Sequence, residues 1–186
     1  MNKLPPLAFI ISVIALLSVI FQFQILWKRT SCKQTFKRFS IIIIIIAFLL
    51  NFAWEMLQMP LYEGMKFNIQ SVVFCGLASI IDVLMVLLLF YFFALIYRES
   101  FWFQKYTTQR IAILVLVSGI GAILLESVNV SFGSWNYSKY MPIIPVVNVG
   151  LTPVLQFMVL PILTYYLSFY FLQFMFRSMK NKSSRW

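Results

Sequence analysis

Residues 40–62 read SIIIIIIAFLLNFAWEMLQMPLY, and what this stretch becomes determines the fold of the whole chain. The six consecutive isoleucines, Ile41 to Ile46, are β-branched and by local propensity suit a strand. The apolar run extends to Leu61, however, which is about the 20 residues that a bilayer crossing requires. A lone strand in hydrocarbon leaves its backbone N–H and C=O groups unpaired, whereas a helix pairs them internally, so a helix is expected. On that helix Asn51, Glu55, Gln58 and Tyr62 recur at i, i+4, i+7 and i+11. At about 100° per residue they fall in one narrow arc, a polar stripe that must face other helices rather than lipid.

The rest of the chain supplies those helices. Of 186 residues, 62% are hydrophobic and 11% charged, with a mean hydropathy of +0.90; soluble domains carry about 25% charged residues. The expected fold is all-α, a polytopic membrane helical bundle forming a single transmembrane domain over residues 1–186. Five spans are expected at about 4–27, 40–61, 72–97, 111–128 and 149–171, followed by a basic tail at 177–186. The first apolar run is longer than a signal-peptide core and meets Lys28-Arg29 without an A-x-A site, so it is expected to be a retained helix. The absence of histidine excludes His-ligated haem, His-box di-iron centres and His-based triads. No span carries a lysine for a retinal Schiff base, and there is no HExxH. Cys32 and Cys75 form no CxxC pair, so neither metal nor cofactor is expected.

A net charge of +10 raises the question of nucleic acid. The distribution of the basic residues answers it. Twelve of the 15 fall in the 28–38 loop, the 98–110 loop and the carboxyl tail; the other three are Lys3, Lys66 and Lys139. The positive-inside rule then places the amino terminus and the loops around Lys66 and Lys139 outside and the carboxyl terminus in the cytoplasm. That alternation requires an odd number of crossings. Trp27, Trp102, Trp135, Tyr137 and Tyr140 are expected as interfacial anchors. No strong internal repeat is evident, which counts against an inverted-repeat transporter. The segment from Asn129 to Asn148, with its aromatic content, is expected to fold as an ordered cap or re-entrant turn.

Of the five acidic residues, Glu63 and Glu99 fall in loops, while Glu55, Asp82 and Glu126 fall within spans that contain no basic residue. A carboxyl at membrane depth costs roughly 2.5–3.5 kcal/mol, so three of them require a reason. With a helical rise of 1.5 Å, Glu55 and Glu126 each come about 22 Å above the cytoplasmic start of their spans. On the same scale Asp82 lies about 15 Å below the outer end of span three, and Gln156 about 10 Å below the outer face. The polar groups therefore gather toward the outer half. Gly119 and Ala122 share the Glu126 face and leave room for close packing or for substrate. Pro60, Pro153 and Pro161 free backbone carbonyls of the kind that line cavities.

The run from Asn51 to Tyr62, N-x-x-W-E-x-x-Q-x-P-L-Y, resembles a pattern of small, largely uncharacterised bacterial multi-pass membrane proteins. Cys75, Asp82, Glu126, Trp135-Asn136-Tyr137, Met141-Pro142 and the Gly150 to Gln156 segment fit it as well. The resemblance implies a bacterial plasma membrane protein and no established activity. A looser likeness, of architecture alone, is to the membrane-embedded lycopene-cyclase and sterol-isomerase-like enzymes, which place carboxylates in an apolar cavity. The chain lacks the proline-plus-glutamate signature of the former and the histidine of the latter, so no catalytic residue is carried over.

These readings lead to an expected enzyme doing acid/base chemistry on a hydrophobic, isoprenoid or lipid-like small molecule. Glu55, Glu126 and Asp82 are the expected catalytic residues. Asn51, Trp54, Gln58, Tyr62, Trp135, Tyr137 and Gln156 are the expected substrate-binding residues. The expected partners are membrane lipids and that substrate, without nucleic acid; homo-oligomerisation stays open. A small cation- or proton-coupled transporter and a non-catalytic partner subunit are the alternatives. In a purely structural reading, the buried polar groups simply bond one another across helices at about 0.6–2 kcal/mol each.

Overall fold

Each of the five apolar runs is a helix, and all five are long and apolar enough to cross a membrane. The computed structural model describes residues 6–183, with side-chain surroundings for 10–177. Lys3 and the last three residues of the basic tail lie outside the described residues, as do the first two of the expected first span. The helices are α1 (Pro6–Arg29), α2 (Lys33–Gln58), α3 (Ile69–Ile96), α4 (Thr108–Ser131) and α5 (Leu151–Ser183). Two strands, β1 (Ile143–Ile144) and β2 (Val149–Gly150), pair antiparallel between α4 and α5. The chain is therefore a multi-pass membrane protein.

The isoleucine run lies inside α2, as the hydrogen-bonding argument requires. Helix ends differ from the expected spans because hydropathy marks where lipid begins, not where helix stops. α2 starts at Lys33 rather than Ser40 and includes Lys37 and Arg38 in its first turns. α5 continues to Ser183, well past 171, carrying much of the basic tail on helix; cations near a helix carboxyl end suit its dipole. α3 and α4 start at capped residues. Asn68 Oδ1 accepts from the Ser71 N–H at 2.8 Å, and Thr107 Oγ1 accepts from the Arg110 N–H at 3.3 Å.

α1 packs on α3, α3 on α2, α2 on α5 and α5 on α4, with no comparable packing between α1 and α4. The helices thus follow the order 1-3-2-5-4, with α1 and α4 as its two ends. One half of the bundle is solid. There the start of α2, the end of α3, the middle of α5 and the α3–α4 connection bring together Phe36, Phe39, Phe90, Phe93, Trp102 and Tyr165, all essentially without exposure. Ring centroids of neighbouring pairs in this cluster lie 5.2–6.0 Å apart, within the range of favourable aromatic pairs. Trp102, expected at the interface, is instead fully buried, and its indole N–H donates to Phe90 O at 3.0 Å. The α3–α4 connection folds inward because Trp102 finds in the core both an apolar site and a carbonyl partner. Tyr165 likewise donates to Val86 O at 2.7 Å.

That end is closed by a short charged network. The Arg110 guanidinium donates to Trp102 O at 2.9 Å and lies 4.4 Å over the Tyr97 ring. Glu99 pairs with Lys105 at 2.9 Å and Arg110 at 3.6 Å. At the opposite end the 59–68 and 132–150 connections come together. The long loop is an ordered cap: Tyr62 and Tyr137 form an antiparallel bridge, Glu63 N–H donates to Asn136 O at 2.9 Å, and Ser138 N–H donates to Leu61 O at 2.9 Å.

If the aromatic half carries the fold, Phe90→Ala should destabilise the purified protein by about 3–5 kcal/mol. Leu124→Ala, on an exposed position of α4, should change stability by less than about 0.5 kcal/mol. Thermal unfolding in detergent micelles measures both, and similar losses would place the core elsewhere.

Candidate functional site

The other half of the bundle, nearer the cap, is hollow. A cavity of about 420 Å³ is lined by side chains from all five helices and from the cap. Its walls are mostly apolar, and none of the described residues lining it is Lys or Arg. Glu55, Gln58 and Tyr62 reach it from α2 and the turn that follows, Asp82 from α3, Glu126 from α4 and Gln156 from α5. The sequence spacing explains the α2 contribution, since i, i+3 and i+4 side chains share a helix face.

The polar floor is organised around one amide. Gln156 is 1% exposed, and its Nε2 donates to Asn51 Oδ1 at 3.0 Å, Asp82 Oδ2 at 3.0 Å and Glu55 Oε1 at 3.2 Å. Gln58 Nε2 donates to Glu55 Oε1 at 2.8 Å and to Gln156 Oε1 at 3.1 Å. Asn51 spends its own donor on Ala47 O at 2.8 Å. A carboxamide nitrogen has two hydrogens, so Gln156 faces three acceptors with two donors. The cluster has an excess of acceptors.

Glu126 forms a second station on the same cavity. Its Oε1 accepts from Trp135 Nε1 at 3.0 Å and from the Tyr137 hydroxyl at 2.6 Å, both on the cap. Burial first, and then the bond to Glu126, hold the Tyr137 phenol above its ordinary titration range, so at neutral pH it remains a donor. Tyr62 stands edge-on to Trp135 with centroids 6.2 Å apart and lies 5.9 Å from the Tyr137 ring. Gly150 admits this arrangement: a Cβ there would lie 3.0 Å from Met141 Sδ and 3.1 Å from Tyr137 Cε1.

The expected site residues thus separate into groups. Glu55, Asp82, Glu126, Gln58, Tyr62, Trp135 and Gln156 line one cavity. Asn51 and Tyr137 do not line it, but they hold Gln156 and Glu126 from behind. Trp54 neither lines the cavity nor joins the polar cluster; it is one residue, and so about 100° of helix, away from Glu55. The depth argument separated Asp82 from Glu55 by several ångströms, yet the length of the Gln156 side chain lets it bridge them. Sequence reasoning missed the α1 wall, where Ile11, Ser12 and Ala15 line the cavity, because α1 carries no charged residue in its apolar stretch to mark a face. It also missed Asn129, although its i+3 spacing from Glu126 signals a shared side, and Glu63, which it left in a loop. Ala122 lines the cavity while Gly119 packs against Met158, so the small residues of α4 serve both uses.

Among the described residues no group of three His, Cys, Asp or Glu side chains is placed to hold a metal ion. Cys75 is buried, with its thiol 3.8 Å from Glu55 O, where it helps join α3 to α2. The chain matches no family model, no curated protein and no solved structure.

Gln156→Leu should cost about 1–3 kcal/mol by stripping the acceptors of their shared donor. Gln156→Glu, which keeps the shape but replaces a donor with a further acceptor, should cost at least as much. Thermal melts of the two variants in micelles check this, and a Gln156→Glu protein as stable as wild type would contradict the acceptor excess.

Proposed function

We propose that this protein is a membrane-embedded enzyme that performs acid/base chemistry on a hydrophobic, isoprenoid or lipid-like substrate held in the cavity. The observation that carries this reading is the presence of two carboxyl stations, Glu55 with Asp82 and Glu126, on one mostly apolar chamber with no basic residue among the described residues of its lining. A cavity of a few hundred cubic ångströms with apolar walls and a few convergent polar groups has the features of a small-molecule site. The helix order supports a lipid-like substrate, since α1 and α4 both line the chamber yet are not packed on each other. An acyl or isoprenoid chain can pass between them from the bilayer.

The two stations differ in what surrounds them. Glu55 and Asp82 share the Gln156 amide, and a proton held between them supplies the donor the cluster lacks. They are the proposed proton donors. Glu126, fixed by an indole N–H and a phenol O–H, is the proposed acceptor. Isomerisation of an alkene needs this pair and no redox partner: one proton is added to an alkene carbon, the adjacent carbon becomes the cation, and another proton is removed from the carbon on the far side of that cation. Tyr62 and Trp135 line the space where positive charge would develop, and aromatic faces attract cations.

With the basic residues facing the cytoplasm, the chamber and its cap lie toward the outer face of what we take to be a bacterial plasma membrane. An alternative, a cation- or proton-coupled transporter, would use the same acids but require a water-filled path through the aromatic half, where Phe90 and Tyr165 are fully buried.

Lipid-extract mass spectrometry on cells with and without the protein should reveal one apolar metabolite that appears or disappears. Glu55→Gln and Glu126→Gln should each abolish that change by a factor of about 100 or more while leaving the protein in the membrane. Unchanged metabolite profiles with normally inserted protein would defeat the enzyme reading. For orientation, a membrane-impermeant maleimide should label Lys139→Cys in intact cells but reach Cys32 only after lysis; the reverse pattern would invert the topology.

A further inference from the structure

The chemistry of the cavity floor defines which end of a substrate can rest on it, and this inference builds on the enzyme reading above. Gln58 is 4% exposed and lines the cavity. Its Nε2 is committed to Glu55 and Gln156, while its Oε1 accepts no hydrogen bond from any of the described residues. A buried acceptor left unpaired costs about 1–3 kcal/mol, so it marks a place where a donor belongs. An amide oxygen remains an acceptor at every ordinary pH, whatever the protonation of the carboxyl groups beside it. Around it stand Glu55, Asp82 and Glu126, and among the described residues no Lys or Arg lines the chamber to offset an incoming anion.

We infer that the substrate's polar end is a hydrogen-bond donor, a hydroxyl or an ammonium, seated at Gln58, whose Oε1 lies just under the cavity surface and turns to accept it, and that phosphate and carboxylate ends are excluded. A hydroxyl or ammonium supplies the N–H or O–H that the floor lacks. A phosphate or carboxylate brings only further acceptors and like charge, a repulsive pairing that rejects the wrong partner. The rest of the molecule, the apolar chain, meets walls such as Ala15, Leu77, Ile81 and Phe157.

The test uses the full-length protein in nanodiscs of zwitterionic lipid at neutral pH and follows tryptophan fluorescence, since Trp135 lines the chamber. The probes share one chain: farnesol, farnesylamine, farnesyl methyl ether, farnesoic acid and farnesyl diphosphate. The alcohol and the amine should bind at least about ten-fold more tightly than the ether, which keeps the chain but has no donor, consistent with loss of one buried hydrogen bond. The acid and the diphosphate should bind more weakly still. Because this comparison uses the wild-type protein, it does not depend on a variant folding; Gln58→Met should then remove the preference for alcohol over ether. Equal binding of ether and alcohol, tighter binding of either anion, or no binding by any probe would each overturn the inference. Binding of the alcohol with no metabolite change in cells would instead count against catalysis alone, whereas turnover of a diphosphate would defeat this inference and leave catalysis standing.

Discussion

The Gln156 carboxamide is the contact on which the hollow half depends. It comes from α5 and reaches acceptors on α2 and α3, so one side chain ties three helices at the level where the bundle is least packed. Hydrocarbon offers no competing donors or acceptors, so such a bond has no solvent alternative when it breaks. The same nitrogen has fewer hydrogens than partners, and this shortage gives the floor its chemistry. Exchanging Gln156 for an apolar residue of similar size would simplify packing while leaving two carboxyl groups facing each other with nothing between them.

A cavity lined by four acidic residues, three of them on the apolar helices, is costly, and the opposite half of the bundle offsets that cost. Phe36, Phe39, Phe90, Phe93, Trp102 and Tyr165 pack α2, α3 and α5 together with the α3–α4 connection. Their hydroxyl and indole groups bond to backbone carbonyls rather than competing with the acids. The division is spatial as well as energetic. Residues near the α1 amino end and those flanking the 59–68 and 132–150 connections surround the chamber, while those near the other connections make the packed core. A membrane bundle gains little from apolar burial alone, because lipid is as apolar as the core, so close aromatic contact and satisfied carbonyls carry more of the load than they would in water.

The helical fold was legible from residues 40–62 because lipid eliminates the strand, and the polar stripe was legible because a 3.6-residue period admits one face. The gathering of Glu55, Asp82 and Glu126 in one half followed from helical rise. The partners of each acid were not legible. Rise gives the depth of a Cα, whereas Gln156 connects groups through a long side chain. Hydropathy also cannot distinguish an aromatic residue at the interface from one turned into the core, which is why Trp102 was misplaced and the contribution of α1 overlooked. Trp54 lies inside the motif that contains Glu55, yet sequence adjacency on a helix means a different face. Its indole N–H is buried without a partner among the described residues, and nothing in the structure explains its place in the pattern.

The cap is tied directly to one of the buried acids. Trp135 and Tyr137 lie on the loop that covers the chamber, and both donate to the same oxygen of Glu126. The loop is fixed to α2 and the turn after it through the Tyr62–Tyr137 bridge and the backbone bonds at Leu61 and Glu63. Any displacement of the loop that uncovers the chamber therefore also removes both donors from Glu126. A carboxyl that loses an N–H and an O–H partner is a different acid or base from one that keeps them. Moving the loop off the chamber and stripping Glu126 of its two donors are thus one structural event.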